Sequence, residues 1–476
     1  MGTLCRAHAC GGKKVEDRVK QPTTTGQPQW SSRIVFILAT IGFSVGLGNI
    51  WRFPYLAGEN GGGAFVLIYI LCVVVIGAPI VIAELAMGRR GRGSPIATFG
   101  RLAKAAGKTD KWSIAGGFTM LTAFLIISFY CVIGGWTLHY IFLALTGALQ
   151  SIDAAGADAA VNDLLASPWL LMMWQGIFVA INVVVLAQGV KGGLEKAVTV
   201  LMPLLFVLLT ALAVYGLIVG DGAGTLKFLF APDFSVVTAQ TVLEAVGQAF
   251  FSVGVGMAAM MTYGAYLEKS VHIPRTAYVV ALSDTAVALI AGLAVFPFVF
   301  AYGVEPGQGP GLVFVTLPTA FAGLGGSVAA IAFFGLLAVA ALTSSIALFE
   351  VFVSWWHKGE GSRARSAVGV GAVAWVVGLG TVFSFNLASG VRPFAFIPGY
   401  GEATFFDGID QFTGTIGLPL GGLLAAVFTG WVLGKADIAE ELGISVDGLL
   451  FKGWRFLMRW ALPLVILVMI LAGIRE

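Results

Sequence analysis

The sequence predicts an all-α polytopic membrane protein: eleven transmembrane helices forming a five-plus-five inverted repeat, with helices 1 and 6 broken. Three observations predict it. Of 476 residues, 58% are hydrophobic and 11% charged, with a mean hydropathy of +0.91, whereas a soluble domain carries about a quarter charged residues. The apolar residues gather into runs long enough to cross a bilayer. Two of these runs are interrupted by the same short pattern.

A spanning helix needs about 20 apolar residues, because the hydrocarbon core is about 30 Å thick and each helical residue rises about 1.5 Å. Runs of this kind cover 33–57, 63–88, 113–147, 168–187, 194–219, 240–268, 275–302, 328–357, 366–386, 408–433 and 454–474. Those at 113–147 and 328–357 are long enough to tilt or protrude. Residues 1–32 read as a cytoplasmic tail without fixed structure, and their polar opening lacks the apolar core of a cleavable signal peptide. Cys5 and Cys10 lie in that tail while Cys72 and Cys131 lie in apolar runs, so neither a metal-type pair nor a disulfide framework emerges.

Basic residues are retained on the cytoplasmic side of a membrane. The 88–112 loop holds Arg89, Arg90, Arg92, Arg101, Lys104, Lys108 and Lys111, whereas 148–167 and 303–327 hold none. The loops at 188–193, 269–275 and 358–365 are basic as well. Strict alternation then places the N-terminus in the cytoplasm and the C-terminus outside, in a cell (inner) membrane. With 28 basic against 25 acidic residues, net charge +3, a nucleic-acid partner has no compositional support.

In the first run, Ser44-Val45-Gly46-Leu47-Gly48 interrupts the apolar pattern, and in the sixth, Ser252-Val253-Gly254-Val255-Gly256 does the same. Glycine costs about 1 kcal/mol in a helix interior, and two beside a serine favour unwinding where protein or water satisfies the freed backbone groups. The breaks lie five spans apart, so they face the membrane in opposite senses. This gives one repeat over 33–220 (helices 1–5), an inverted one over 240–433 (helices 6–10), and an appended helix 11 at 454–474. Half-helix N-termini present N–H groups to an anion, and unwound carbonyls coordinate cations. A zwitterion together with a small metal cation would satisfy both, although paired glycines also serve close helix packing.

Gly46-Leu47-Gly48-Asn49-Ile50-Trp51-Arg52-Phe53-Pro54, followed by Glu59-Asn60-Gly61-Gly62-Gly63-Ala64-Phe65, closely resembles the opening of the neurotransmitter:sodium symporter family. The resemblance continues through Gln248-Ala249-Phe250-Phe251-Ser252, Leu342-Thr343-Ser344-Ser345 and Gly414-Thr415-Ile416-Gly417. It spans most of residues 30–435, and the eleven runs look like the family's shorter prokaryotic branch.

The resemblance implies two sodium sites. The first takes the Ser44 carbonyl, the Asn49 side chain, Ser252, Asp284 on helix 7 and the substrate carboxylate; Ser283 is the neighbouring alternative. A carboxylate at mid-membrane is costly unless paired, which favours Asp284. A structural Asp bonded to backbone amides is the bland alternative. The second site takes carbonyls of Gly42, Val45 and Ala340 and hydroxyls of Thr343 and Ser344; oxygen-only ligands without a full charge suit a monovalent hard cation. Read without that resemblance, Thr343-Ser344-Ser345 would be ordinary back-bonding to the preceding turn.

For the substrate, the resemblance implies that the Leu47 and Gly48 amides and the Tyr130 hydroxyl hold a carboxylate. Carbonyls near Ser44, Phe251, Ser252 and Gly254 hold an ammonium, with Ser344 beside them. Gly46 stands where monoamine carriers have an Asp, so the substrate itself must bring the negative charge: an amino acid. Phe43, Ile126, Phe251, Gly254, Met257 and Leu348 bound the side chain and suit a large hydrophobic or aromatic one. Enlarging Gly254 is expected to select smaller substrates.

The family pattern also pairs Arg52 with Asp410, with Gln248 nearby, as an outer gate, under which Phe251 and Tyr130 form the lid. Glu84 is read as the other buried acid, bonding unwound backbone, and His139 as a satisfied core histidine. At the cytoplasmic end Gln27 and Lys358 replace an expected Arg and Asp, so the inner ion pair is expected to be missing. Ala288 and Val287 offer no hydroxyl for chloride, which implies chloride independence and leaves room for proton counter-transport.

The expected function is therefore sodium-coupled import of an amino acid by alternating access, with two Na+ as coupling ions, no other cofactor, and the bilayer and substrate as partners. A transporter-like amino acid sensor or a sodium-gated channel would keep the same sites. Enzyme chemistry has little support: Gly107-Lys108-Thr109 mimics the end of a phosphate loop, but Leu102 stands where that motif needs glycine.

Overall fold

The computed structural model describes residues 29–303, 311–324, 326–357, 362–397 and 399–473. Gln27, Lys358, Cys5 and Cys10 fall outside them, as does most of the tail. The described part is almost wholly helical. Nine helices are long and apolar enough to span a membrane among the described residues: α2 (Gly63–Gly91), α3 (Asp110–Leu145), α4 (Pro168–Ala187), α5 (Val190–Val219), α7 (Ile273–Ala301), α8 (Gly326–His357), α9 (Arg363–Ser384), α10 (Phe405–Val432) and α11 (Leu449–Gly473). A bent pair, α1a (Arg33–Ser44) and α1b (Gly48–Glu59), makes a tenth span, its halves meeting at 48°.

The expected span at 240–268 is divided into α6a (Ala239–Val253) and α6b (Ala259–Ala265). The break is more complete than the composition implied, because neither half is long enough to cross by itself. Short helices at Pro95–Ala105, Ala154–Ala166, Gly222–Phe230 and Lys435–Leu442 fill connections that hydropathy left blank.

Local signals explain the ends. Ser32 caps α1a by accepting from the Val35 amide, and Thr238 caps α6a in a reciprocal pair with Thr241, each satisfying donors that a helix start leaves free. α6a stops at Gly254, φ +73°, a left-handed residue that ends helices at low cost because it lacks a Cβ. The chain stays left-handed at Gly256 (φ +83°) and Ala258 (φ 66°) before α6b begins. At Gly256 a Cβ would stand 2.2 Å from the Leu418 carbonyl oxygen, so α10 approaches this break as closely as bare backbone permits.

The broken helices sit at the centre. α3 packs along α8, α4 along α9, α5 along α7, and the two ends of α2 against α6a and α6b. The apolar window of α8 is 78% buried and that of α11 only 22%, which makes α11 the peripheral helix. The 33 residues Ser113–Leu145 of α3 run for about 50 Å at 1.5 Å per residue, beyond the hydrocarbon thickness, as the length of the run predicted. Trp30, at the end of the segment expected to lack structure, is instead buried at 3% exposure.

Candidate functional site

Where α1 and α6 break, Asn49, Ser252 and Asp284 meet. Asn49 Nδ2 donates to Asp284 Oδ1 at 2.8 Å and lies 3.0 Å from both the Asp284 carbonyl and Ser252 Oγ. Ser252 Oγ donates to Asp284 Oδ2 at 2.6 Å, and the Tyr69 hydroxyl lies 2.9 Å from Ser252 Oγ. Asn49 Oδ1 accepts from the Gly46 amide at 3.2 Å, which ties the side chain to the unwound turn. Asp284 is fully buried and Ser283 only partly so, so of the two helix 7 candidates it is Asp284 that joins the cluster. The donors around this carboxylate are neutral side chains, a set that leaves a buried negative charge wanting a cation.

The second expected oxygen set also converges. Ser344 Oγ lies 3.4 Å from the carbonyls of both Gly42 and Val45, and 2.8 Å from that of Phe43, which was not among the expected ligands. Thr343 Oγ1 back-bonds within α8 to Val339 and Ala340, at 3.2 and 3.0 Å, as a hydroxyl in a helix ordinarily does. All the donors are oxygens and uncharged, which fits an alkali cation.

Between these clusters is a small cavity of about 30 Å³, bounded by every expected substrate-lining residue except Ser252, with Gly46 added. Ser252 is turned away to Asp284. The Leu47 amide donates to the Tyr130 hydroxyl at 3.4 Å, so an amide and a hydroxyl expected to share a carboxylate already face each other. The volume holds about two water molecules. Gly254 contributes differently from expectation. A Cβ there would sit 2.6 Å from the Phe43 ring on a left-handed backbone, so a larger residue strains the break before it trims the pocket.

A second cavity of about 420 Å³ lies beyond the first, towards the loops that lack basic residues, and it is bordered by Arg52, Asp410, Trp136 and Phe314 among others. Leu47, Tyr130 and Phe251 border both spaces, and the Arg52 guanidinium lies 4.9 Å from the centre of the Phe251 ring. Phe251 and Tyr130 thus stand, with Leu47, between the two spaces. Arg52 and Asp410 face the same cavity, but the ion pairs within 4 Å among the described residues do not include them. Gln248, expected near this pair, does not border the cavity: it is fully buried and donates to the Gly48 carbonyl at 2.8 Å.

At the opposite, basic end the passage is shut. Trp30 Nε1 donates to the Tyr263 carbonyl at 3.2 Å, and its ring packs on Phe36, Tyr263 and Tyr266. Tyr266, just past α6b, donates to Glu350 Oε1 at 2.7 Å, and the other oxygen of Glu350 pairs with Arg363 at the start of α9. A buried ion pair between α8 and α9 thus backs this closure, while positions 27 and 358, where the inner pair was expected to be missing, lie outside the described residues. Glu84 is not the other buried acid but one of several, since Glu350 is also fully buried. The missed signal was legible: a glutamate inside a 32-residue apolar helix, followed by arginine at the next helix start, must find a partner.

Glu84 Oε1 accepts from the Gly256 amide at 2.7 Å, so it does bond the unwound backbone of α6. His139 departs from expectation. It is 8% exposed beside Tyr140 and Trp174, and its Nδ1 has no hydrogen-bond partner among the described residues.

The model of the sodium:neurotransmitter symporter family matches residues 27–155 and 156–476. This chain belongs to that family. A sodium-dependent transporter of Bacillus subtilis, YhdH, is 36% identical over 447 residues, covering 93% of this chain and 97% of its own length. One from Haemophilus influenzae is 35% identical over 94% of this chain and 98% of its own. A crystal structure of MhsT in complex with L-phenylalanine is similar at a TM-score of 0.85 and 42% identity, over 94% of this chain and 100% of that one. The symporter family membership makes the chain a sodium-dependent transporter with Na+ as coupling ion, and not an enzyme.

Proposed function

We propose that this chain imports a large hydrophobic or aromatic L-amino acid by symport with two Na+ ions, through alternating access. The carrying observation is the cavity between the two breaks: it places the Leu47 amide and Tyr130 hydroxyl beside apolar Phe43, Ile126, Met257 and Leu348. The Asn49–Ser252–Asp284 cluster adjoins one side and the Ser344 oxygens the other. Ions and substrate sharing these ligands raise one another's affinity by the same factor, which lets a sodium gradient drive accumulation. The phenylalanine held by the similar MhsT supports the apolar side-chain preference.

In this reading the repeats are residues 33–220 and 240–433, with helix 11 at 454–474 appended, and the basic loops lie in the cytoplasm. Chloride is not required, because Val287 and Ala288 present no hydroxyl. Uptake of labelled phenylalanine into proteoliposomes, competed by each of the twenty amino acids, with sodium or potassium and with or without chloride, tests the reading. Saturable accumulation that needs sodium alone is the expected result. Uptake unchanged in potassium refutes the coupling, a chloride requirement refutes that part, and binding without accumulation makes the chain a sensor.

A further inference from the structure

Arg455 and Arg459 lie four residues apart on α11 and so on one helix face. Arg455 is 8% exposed, and its Nη2 donates to the Leu433 carbonyl, just past the end of α10, at 3.1 Å. Its Nε and Nη1 are buried with no hydrogen-bond partner among the described residues, and Nε of Arg459 is in the same condition. The Arg459 guanidinium lies 4.2 Å from the centre of the Trp431 ring. Among the described residues, no acid lies within ion-pair distance of either arginine. Two cations at this depth without a counter-charge are costly.

The surroundings say where a counter-charge comes from. Trp431 and Trp460 meet edge to face at 4.7 Å and are 44% and 56% exposed, and Phe456 is 60% exposed. With α11 mostly unburied by the rest of the chain, this face lies against lipid. Side chains on a helix lean towards its N-terminus, here the basic end, so both arginines reach back from the apolar part of α11 towards the headgroups. Tryptophans beside long cations at one end of a span mark a bilayer interface.

We propose that Arg455 and Arg459 bind the phosphate of an anionic phospholipid, in the leaflet at the basic end, between α10 and α11. Arg459, half-buried, meets the headgroup, since guanidinium matches phosphate geometry; Arg455, held beneath it on the Leu433 carbonyl, adds its charge from behind. The acyl chains lie along Phe456 and Trp460. The phospholipid thereby supplies the negative charge that the chain withholds, and it fastens the peripheral helix to α10.

Native mass spectrometry of the full chain, purified in detergent and incubated with equal amounts of phosphatidylglycerol and phosphatidylcholine, tests this. Wild-type protein is expected to retain about tenfold more phosphatidylglycerol. Arg455→Gln with Arg459→Gln should bring the ratio to near one, and the paired Lys substitutions should keep most of it. Lys108→Gln with Lys111→Gln, on the exposed basic loop, should leave it unchanged. Equal retention by wild type, an unchanged ratio in the double Gln variant, or an equal fall in the loop variant overturns the proposal. Displacement of the lipid by millimolar inorganic phosphate also does so, by making the ligand a soluble anion. A measurement without arginine variants guards against misfolding: brominated phosphatidylglycerol should quench tryptophan fluorescence more than brominated phosphatidylcholine, and Trp460→Phe should remove much of the excess. Equal quenching by the two lipids contradicts the site.

Discussion

The Ser252 hydroxyl donates to Asp284 Oδ2 at 2.6 Å, a bond that ties the break in α6 to the middle of α7. Asn49 holds the other carboxylate oxygen at 2.8 Å and the Tyr69 hydroxyl reaches Oδ2 at 3.4 Å, so four helices meet on one buried acid. That acid is the centre of the first prediction. Asp284→Asn keeps the size of the group but removes its charge. Loss of a charged interaction worth about 1.5–3 kcal/mol should weaken sodium binding roughly ten- to a hundredfold. Titrating sodium against substrate binding in a scintillation proximity assay checks it, and a near-native sodium affinity would take Asp284 out of the site.

Tyr130 borders both cavities and accepts the Leu47 amide. Tyr130→Phe leaves the ring between the two spaces and removes the hydroxyl. Substrate affinity is expected to fall about tenfold, the lower end of a hydrogen bond to a charged group, with little change in sodium affinity. Equilibrium binding of phenylalanine reads this directly; an unchanged dissociation constant refutes carboxylate capture by Tyr130.

Glu350 joins Tyr266, at the end of α6b, to Arg363 on α9. Glu350→Gln leaves Arg363, itself partly buried, without its counter-charge, and the basic end should loosen. Faster hydrogen–deuterium exchange is expected in the peptides around Trp30 and Tyr266, whose backbones bond each other at 3.4 Å. If exchange there matches wild type, this ion pair does not hold the closure.

Gly254 offers a correction that can be measured. With its backbone left-handed and Phe43 at 2.6 Å from a Cβ, Gly254→Ala should lower thermal stability by about 1–2 kcal/mol, the cost of the left-handed conformation for an L-residue. Substrate preference should move little. A variant as stable as wild type but selective for small amino acids would restore the pocket-trimming view.

Much of this was legible in the sequence because bilayer physics leaves few choices. Run lengths gave the spans, and the repeated Ser-Val-Gly-x-Gly gave both breaks. The motif resemblance carried Asn49, Ser252, Asp284 and the lining residues to positions that the fold does bring together. What stayed hidden depended on directions in space. Nothing in the sequence says that Ser252 turns from the cavity to Asp284, that Gln248 bonds the Gly48 carbonyl, or that Phe43 fills the space above Gly254. The Glu350–Arg363 pair differs: each charge stands out in the sequence, but only the fold brings the end of α8 and the start of α9 together.

The mutual approach of Gly256 and Gly421 reaches beyond this one molecule. A Cβ on Gly256 would strike the Leu418 oxygen at 2.2 Å, and one on Gly421 would strike the Gly256 oxygen at 2.1 Å. No compensating substitution at either position can relieve the other, because each obstacle is main chain. In a saturation library both codons should therefore be intolerant one at a time and in combination, a pair frozen without covariation and invisible to any method that finds contacts from correlated change.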